Sequence, residues 1–578
     1  MARRHGRSAF RAAALSWILL GLAAASGGAQ PVVGGFGDAT VPERGKARVR
    51  IAGIFEGTKD QTGGVAGTEG SKVVGLGAPI SFDSLGAAQL PFLTAAQRAL
   101  RDSIGVSVGL TVGSVTTNAR RFVARVPIQA EVGITRRLSV GLTVPFVSTR
   151  QTVNLSVNPG GTTGNLGFNP ANQALSNSTA STAAARNQQL LLALRKAADS
   201  IVALANSCPV TAGTPVRAGC EDVVKDITGA RALAAEARTV ANGIGAVYGT
   251  STAVGSFLVP IAGTDLERAV DARIRGLARR FVAFQVKDLD SNATPAGASA
   301  RLANRGLNQI IADPAFGFNA DSLGTVQRAG IGDVEAEASY MWLDTFGATA
   351  RRAVPGLRLR STVGVGYRFA TGAVDVPYDF FDIGTGTGAN ALLLRSATDV
   401  SWSRRFWATV ALRAEQPLAS SQTLRVPTTP GALLVTEDRE VLVDRTGGRQ
   451  LVIEATPRWA ASESFAVALH YSLRTRQADA STTTATDSAG APIDASVLDV
   501  GTGGRAQVVG FGVTYSTLAS YERGNGWLPA EVSFLRTSTV AGSGGVIPRT
   551  STAQLTVRVY TRLFGHHPRP RPSLPGAR

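Results

Sequence analysis

Residues 121–147 read RFVARVPIQAEVGITRRLSVGLTVPFV, and two runs within that stretch decide the fold. In the first, Phe122, Ala124, Val126, Ile128, Ala130, Val132 and Ile134 alternate with Val123, Arg125, Pro127, Gln129, Glu131 and Gly133. A period of two marks a strand with one apolar face and one polar or small face. After Thr135-Arg136-Arg137 the pattern restarts, with Leu138, Val140, Leu142, Val144 and Phe146 alternating with Ser139, Gly141, Thr143 and Pro145. Both runs exceed the roughly five or six residues of an ordinary globular strand and match the about 9 to 11 that cross a bilayer at a tilt. A soluble sandwich hides its apolar faces in a core; a closed barrel shows them to lipid and keeps its polar faces inside.

The same alternation recurs at 46–55, 334–342, 357–369, 392–402, 406–414, 451–459, 465–473, 509–515, 528–534 and 555–563. Its cleanest case sets Leu357, Leu359, Val363, Val365, Tyr367 and Phe369 against Arg358, Arg360, Thr362, Gly364, Gly366 and Arg368. Tyr340 and Trp342 close their strand with the aromatic pair of an interfacial girdle. Connections alternate as well. Short or moderate breaks fall near Arg136, 344–355, Arg404, Ala461 and 519–527. Long ones fall at 58–120, 158–328, 371–389, 418–447 and 477–502, with a shorter one near 541–549. Short turns at one end and long loops at the other predict an all-β transmembrane antiparallel β-barrel of about 12 strands.

One long connection changes character. Residues 158–180 are rich in Asn, Gly, Ser and Thr, and then Leu190, Leu194, Ala197, Ile201 and Leu204 recur at helical spacing. Helices are expected over 183–206, 222–244, 265–289 and 298–311, with their apolar stripes packing on one another, and a short one over 94–102 with Thr94 as N-cap. Residues 105–117 read either as a strand or as an extension of the one that follows. Cys208 and Cys220 enclose a Pro/Gly/Thr/Ala loop, and in an exported chain they are expected to form a structural disulfide. The N-terminus reads as a signal peptide: Arg3, Arg4, Arg7 and Arg11, an apolar stretch over 12–25, and Gly27-Gly28-Ala29 before Gln30. The expected organisation is therefore a signal peptide (1–29), the first part of the barrel with a long loop (30–157), a disulfide-clipped helical insertion (158–328), the remainder of the barrel (329–565) and a disordered basic Pro-rich tail (566–578).

Removing the four leader arginines lowers the formal charge of the 578-residue chain from +18 to +14. The basic residues are scattered singly, with no aromatic-interleaved patch, so no nucleic-acid partner is expected. Lumen, rim and lipid headgroups are the natural places for them.

The phrase Arg125-Val-Pro-Ile-Gln-Ala-Glu-Val-Gly-Ile-Thr-Arg-Arg-Leu-Ser-Val-Gly-Leu-Thr-Val-Pro-Phe146 resembles the early hairpin of outer-membrane barrels of the MetA-pathway phenol-degradation family. Gly330-Ile-Gly-Asp-Val334 and Phe369-Ala-Thr-Gly372 look like its later segments. The resemblance implies a transport channel; the helical insertion departs from the family pattern.

With apolar faces outward, the lumen receives Arg125, Glu131, Asp333, Glu335, Glu337, Arg358, Arg360, Arg368, Arg413, Glu415, Glu454, Arg458, His470 and Arg474. Two readings stay open: a lining that selects solutes by charge and width, or salt bridges that fill a modest barrel. No catalytic set, cofactor site or metal site is expected, and the chain is not read as an enzyme. His5 lies in the leader, His566 and His567 in the tail, and His470 within a plain strand. Gly384-Thr-Gly-Thr-Gly388 lacks the Lys and the strand-to-helix context of a phosphate loop and reads as a flexible loop. The function expected is a passive outer-membrane channel or porin for uptake of small molecules in a Gram-negative-type envelope. The alternative is a structural or adhesion barrel whose insertion is the functional part and which has no open pore. The partners expected are outer-membrane lipid and a small solute.

Overall fold

A computed structural model describes residues 38–63, 72–172, 180–208, 219–249, 257–290, 292–346, 356–403, 405–432, 434–524 and 526–563. The signal peptide and the basic tail lie outside these residues. Twelve antiparallel strands close on themselves. They are β1 (Lys46–Thr62), β2 (Val115–Gly133), β3 (Leu138–Val157), β4 (Val334–Asp344), β5 (Arg358–Phe369), β6 (Ala391–Ser401), β7 (Phe406–Pro417), β8 (Gln450–Ala460), β9 (Phe465–Arg476), β10 (Gly504–Ser516), β11 (Ala530–Ser543) and β12 (Ile547–Arg562). Each pairs with its neighbour in sequence. β12 returns to β1 in a register that runs from Lys46 opposite Arg562 to Thr62 opposite Ile547.

Outward positions carry the apolar set. Phe122, Ile128, Leu142, Val365, Leu394, Leu469, Phe511 and Leu555 are exposed on the outer surface, Val365 at 61% and Leu469 at 64%. Trp342, Trp402, Phe406, Trp459, Phe465 and Tyr515 gather at the short-turn end of their strands as an exposed aromatic girdle. A bulge between Met341 and Leu343 interrupts the pairing of β4 with β5 at Trp342. Among the described residues no helix is long and apolar enough to cross a membrane.

The expected alternation of connections is present. Hairpins join β2 to β3, β6 to β7 and β8 to β9 at one end, where the β10–β11 connection carries a short helix, Leu518–Glu522. The long loops all leave the other end; there β11 and β12 meet in a tight turn through Gly544, whose φ of 79° suits glycine. Two details differ from the sequence reading. Residues 105–114 are not strand, and β2 begins at Val115. β1, β2 and β3 also run 17, 19 and 20 residues, longer than their apolar alternation. The upper parts of β2 and β3 turn Val115, Ala119, Val153 and Val157 into protein and leave Thr116, Asn118, Arg120, Asn154 and Ser156 exposed on the other face, which is polar and not lipophilic.

That protein is a cap at the long-loop end. Its helices are α1 (Leu93–Arg98), α2 (Ala180–Ser207), α3 (Glu221–Lys225), α4 (Ile227–Tyr248), α5 (Asp265–Ala283) and α6 (Asn304–Ala312). Leu100, Leu194, Ile201, Leu233, Ile244, Phe281 and Phe318 are fully buried among them. The same core includes Val115, Ala119, Val153 and Val157 of β2 and β3, so the cap is seated on those two strands. Asn304 fixes the seat, accepting from Val157 N (2.8 Å) and donating to Leu155 O (2.6 Å). Cys208 and Cys220 are bonded at the end of α2 and the start of α3.

Replacing the outward Val365 with Arg should lower barrel stability by about 2 to 4 kcal/mol if that position sits in mid-membrane. Urea unfolding in lipid vesicles measures it; an unchanged midpoint contradicts the face assignment.

Candidate functional site: a lumen lined with both charges

Inward positions of the strands carry the charges. They surround a cavity of about 480 Å³ that reaches from Asp38, Thr362 and Arg558 near the short-turn end to Thr385, Thr539 and Ile547 near the long-loop end. No described residue of 158–328 lines it; the end of that insertion meets the loop 371–389 instead, where Asp321 N donates to Tyr378 O (2.7 Å) and Arg328 pairs with Asp382. Among the described residues, eleven arginines and eight carboxylates line the cavity; Asp333, Glu335 and Asp479 stand directly behind arginines and Arg328 stands behind Asp382, which brings the totals to twelve and eleven. The lining is two-signed and close to neutral.

The register explains its most crowded part. Arg395 of β6 and Arg413 of β7 are direct partners across the ladder, an arrangement that repels on its own. Glu335 of β4 clasps both, accepting from Arg395 Nη2 (2.9 Å) and Arg413 Nη2 (2.7 Å). Glu337 takes the other end of Arg395, and Arg368 reaches Glu415 at 2.6 Å. Room for these arms comes from Gly364: a Cβ there would stand 2.8 Å from Glu337 Oε1. On the other side of the barrel Arg48 donates through Nε to Glu131 (3.0 Å), Ser139 donates to the same carboxylate (2.6 Å), and Arg125 pairs with Glu56 (3.3 Å).

Two segments cross this space. The lead into β1 lies across the short-turn end. Asp38 pairs with Arg48 and Arg558 on one wall, while Ala39 N donates to Asp399 (3.1 Å) and Ala39 O accepts from Thr362 Oγ1 (2.6 Å) on the opposite wall. Burial alone would raise the Asp38 carboxyl; Arg558, Arg48 and Thr40 outweigh it and hold the group well below the usual carboxylate range. Its grip is complete above the ordinary value of 3.8 and is lost only as pH falls from there. At the other end, loop 371–389 folds inward. Asp333 accepts from Gly372 N (3.0 Å), Thr387 N (2.9 Å) and Thr387 Oγ1 (2.8 Å), Thr149 donates to Ile383 O (3.0 Å), and Arg328 pairs with Asp382 (2.6 Å).

Of the residues expected to line the lumen, Arg125, Glu131, Glu337, Arg368, Arg413, Glu415, Glu454 and Arg474 face the cavity. The others do not. Asp333 sits at the break between strand Val326–Ile331 and β4, where it anchors the inward loop. Glu335 is 3% exposed behind Arg395 and Arg413. Arg358 is exposed at the short-turn end of β5, and Arg360 nearby pairs with Asp344 and covers the Phe346 ring. Arg458 is also absent from the cavity lining. His470 is buried, its Nδ1 3.2 Å from Thr456 Oγ1. Strand parity gives the wall a side chain points to, not its depth or height. Gly384–Gly388 is not a loose loop either: a Cβ on Gly386 would stand 2.4 Å from Asp333 Oδ1 and 2.6 Å from Gly372 Cα. The Asp38–Thr40 crossing has no periodic signal in the sequence, whereas Arg48 and Arg50 hold alternate positions in the 46–55 run and line the cavity from β1. Among the described residues no three His, Cys, Asp or Glu side chains converge to hold a metal.

Fold and lumen together define a closed transmembrane β-barrel with a polar, nearly neutral interior and a helical cap. No family model and no curated protein matches the chain, so nothing further supports the likeness to the phenol-degradation family. Among solved structures, it is similar to a deltaS2S3 mutant of the TodX monoaromatic hydrocarbon channel (9% identity, 91% of this chain and 92% of that chain, TM-score 0.26). It is also similar to a Pseudomonas aeruginosa FadL homologue (7%, 90% and 91%, TM-score 0.24) and to the Ralstonia pickettii toluene transporter TbuX (9%, 90% and 90%, TM-score 0.24). These values say nothing about solute, and the barrel assignment rests on its own strand pairing.

Two substitutions test the wall. Glu335→Ala leaves Arg395 facing Arg413 and should cost about 3 to 5 kcal/mol in the same unfolding measurement; a loss under about 1 kcal/mol would mean that water already screens the pair. Gly386→Val should dislodge the inward loop, read as new protease cleavage within 371–389 while the rest of the barrel stays resistant.

Proposed function

We propose that the chain is a passive outer-membrane channel for small polar solutes. The observation that carries this reading is the pairing of an apolar outer surface with a continuous, two-signed cavity along the barrel. A cylinder built only for stability fills its interior; this one keeps about 480 Å³ lined by polar atoms. A hydrocarbon would have to strip water from paired charges to pass, so the lining favours polar solutes over the aromatic hydrocarbons named for the structures above. The exported leader and the gathering of short turns at one end support an orientation with the cap outside the cell and the Asp38 crossing on the periplasmic side.

The crossing narrows the resting passage. Asp38→Ala releases the lead from Arg48 and Arg558, which keep Glu131 and Glu531 as partners. In planar bilayers the wild-type chain should conduct in small steps, and the variant should conduct in steps severalfold larger. A folded wild-type chain and variant that both never conduct would favour the other class, a barrel serving as a platform for its cap.

A further inference from the structure

The outer face of β1, β2 and β3 changes chemistry in three tiers. Lowest are exposed apolar side chains, Phe55, Phe122, Ile128, Leu142 and Phe146, with Ile331 beside them. Cations come next. Arg150 is the cross-strand partner of Phe122 and Arg120 that of Thr152, so the two exposed arginines are diagonal neighbours about 7 to 8 Å apart. Thr58 stands opposite Arg121, which brings the bulged and exposed Lys59 to the level of Arg120. Above the cations the cross-strand pairs Asn118–Asn154 and Thr116–Ser156 are exposed and uncharged. Their inward neighbours Val115, Ala119, Val153 and Val157 belong to the core of the cap, so these pairs point away from the protein.

Among the described residues neither Arg120 nor Arg150 has a carboxylate partner, and Lys59 has only Asp60, at 3.8 Å. In the lumen a similar pair of neighbouring arginines, Arg395 and Arg413, is clasped by Glu335. On the outer wall no described residue supplies that anion. We propose that this face binds a phosphorylated glycolipid of the outer leaflet. Its acyl chains lie along Phe122 and Phe146, a phosphate bridges Arg120 and Arg150 with Lys59 beside it, and its sugar hydroxyls meet Asn118, Asn154, Thr116 and Ser156. Guanidinium forks match phosphate oxygens, and their place at the edge of the hydrocarbon strengthens the contact. A phospholipid, whose headgroup carries no sugars, would leave the upper tier without a partner. The inference goes beyond the channel reading and takes from it only the orientation with the cap outside the cell.

The test titrates the folded full chain, in neutral detergent, with rough lipopolysaccharide, its lipid A, dephosphorylated lipid A and phosphatidylglycerol, and reads bound lipid by native mass spectrometry. The wild type should hold rough lipopolysaccharide most tightly, lipid A less tightly and the other two weakly. Arg120→Gln combined with Arg150→Gln should weaken the first two by at least about tenfold, through the loss of charge-assisted hydrogen bonds. Asn118→Ala combined with Asn154→Ala should weaken rough lipopolysaccharide severalfold and leave lipid A unchanged. All four side chains are exposed, and heat-modifiable gel mobility checks that each variant is folded. Arg358→Gln, which removes an exposed cation at the short-turn end, should change nothing. Equal affinity for phosphatidylglycerol, an arginine pair whose loss matters no more than that of Arg358, or an asparagine pair without effect overturns the proposal. Binding read in this way does not depend on conduction, so its failure and the failure of the channel reading are separate results.

Discussion

Ring closure between β1 and β12 is the constraint on which the rest depends. In hydrocarbon each unpaired N–H or C=O costs several kcal/mol, so a sheet in a bilayer is stable only without edges. The register from Lys46 opposite Arg562 to Thr62 opposite Ile547 removes the last pair of edges. Once the cylinder is closed, the pleat sorts every strand into two solvents. Odd and even positions cannot both be greasy, and whatever is polar is driven to the interior. The density of charge in the lumen is a consequence of closure before it is a device for transport.

Charges confined in that way must compensate one another. Arg395 facing Arg413 would be a fault in an open sheet, yet here Glu335 reaches both because the wall curves back toward itself. The chord from β4 to β7 spans two intervening strands, and Gly364 beneath it leaves the needed volume. Buried ion pairs of this kind contribute little net stability over apolar packing, but losing one partner is costly. They therefore fix the cross-section of the passage more than they hold the barrel together. The large hydrophobic core lies elsewhere, in the cap, where water is the surrounding solvent and helices can bury Leu194, Leu233 and Phe281 in the ordinary way.

Much of this was legible in the residues. Period-two runs located all twelve strands, and the outward face of those such as 122–134, 138–146 and 357–369 whose alternation is cleanest, because a bilayer imposes its requirement on every second residue over a fixed length. The spacing of Leu190, Leu194 and Ile201 gave α2 for the same kind of reason. Depth was not legible. Glu335, Asp333 and His470 have the parity of lumen residues but sit behind or beside other side chains, since parity fixes a direction and says nothing about what fills the space ahead. The Asp38 crossing was invisible for a further reason: Asp38–Thr40 has no periodicity of its own, and its far contacts, Thr362 and Asp399, lie more than 300 residues away. Gly384–Gly388 misled in the opposite sense. Glycine was read as freedom, whereas at Gly386 it is the only residue that lets the loop lie against Gly372 and Asp333.

These long-range contacts share one logic. A barrel wall offers few places where a loop can be held, because outward positions belong to lipid and most inward ones are already matched. Asp333 is an exception created by the break after Ile331, where the partner of β3 changes from Val326–Ile331 to β4 and an inward carboxylate is left beyond the ladder. Asp399 and Thr362 do the same near the other end, offering an acceptor and a donor to the backbone of Ala39. The lumen is thus crossed by segments outside the regular strands, pinned at irregular points of an otherwise repetitive wall. Such segments can vary without disturbing the pairing that keeps the cylinder closed.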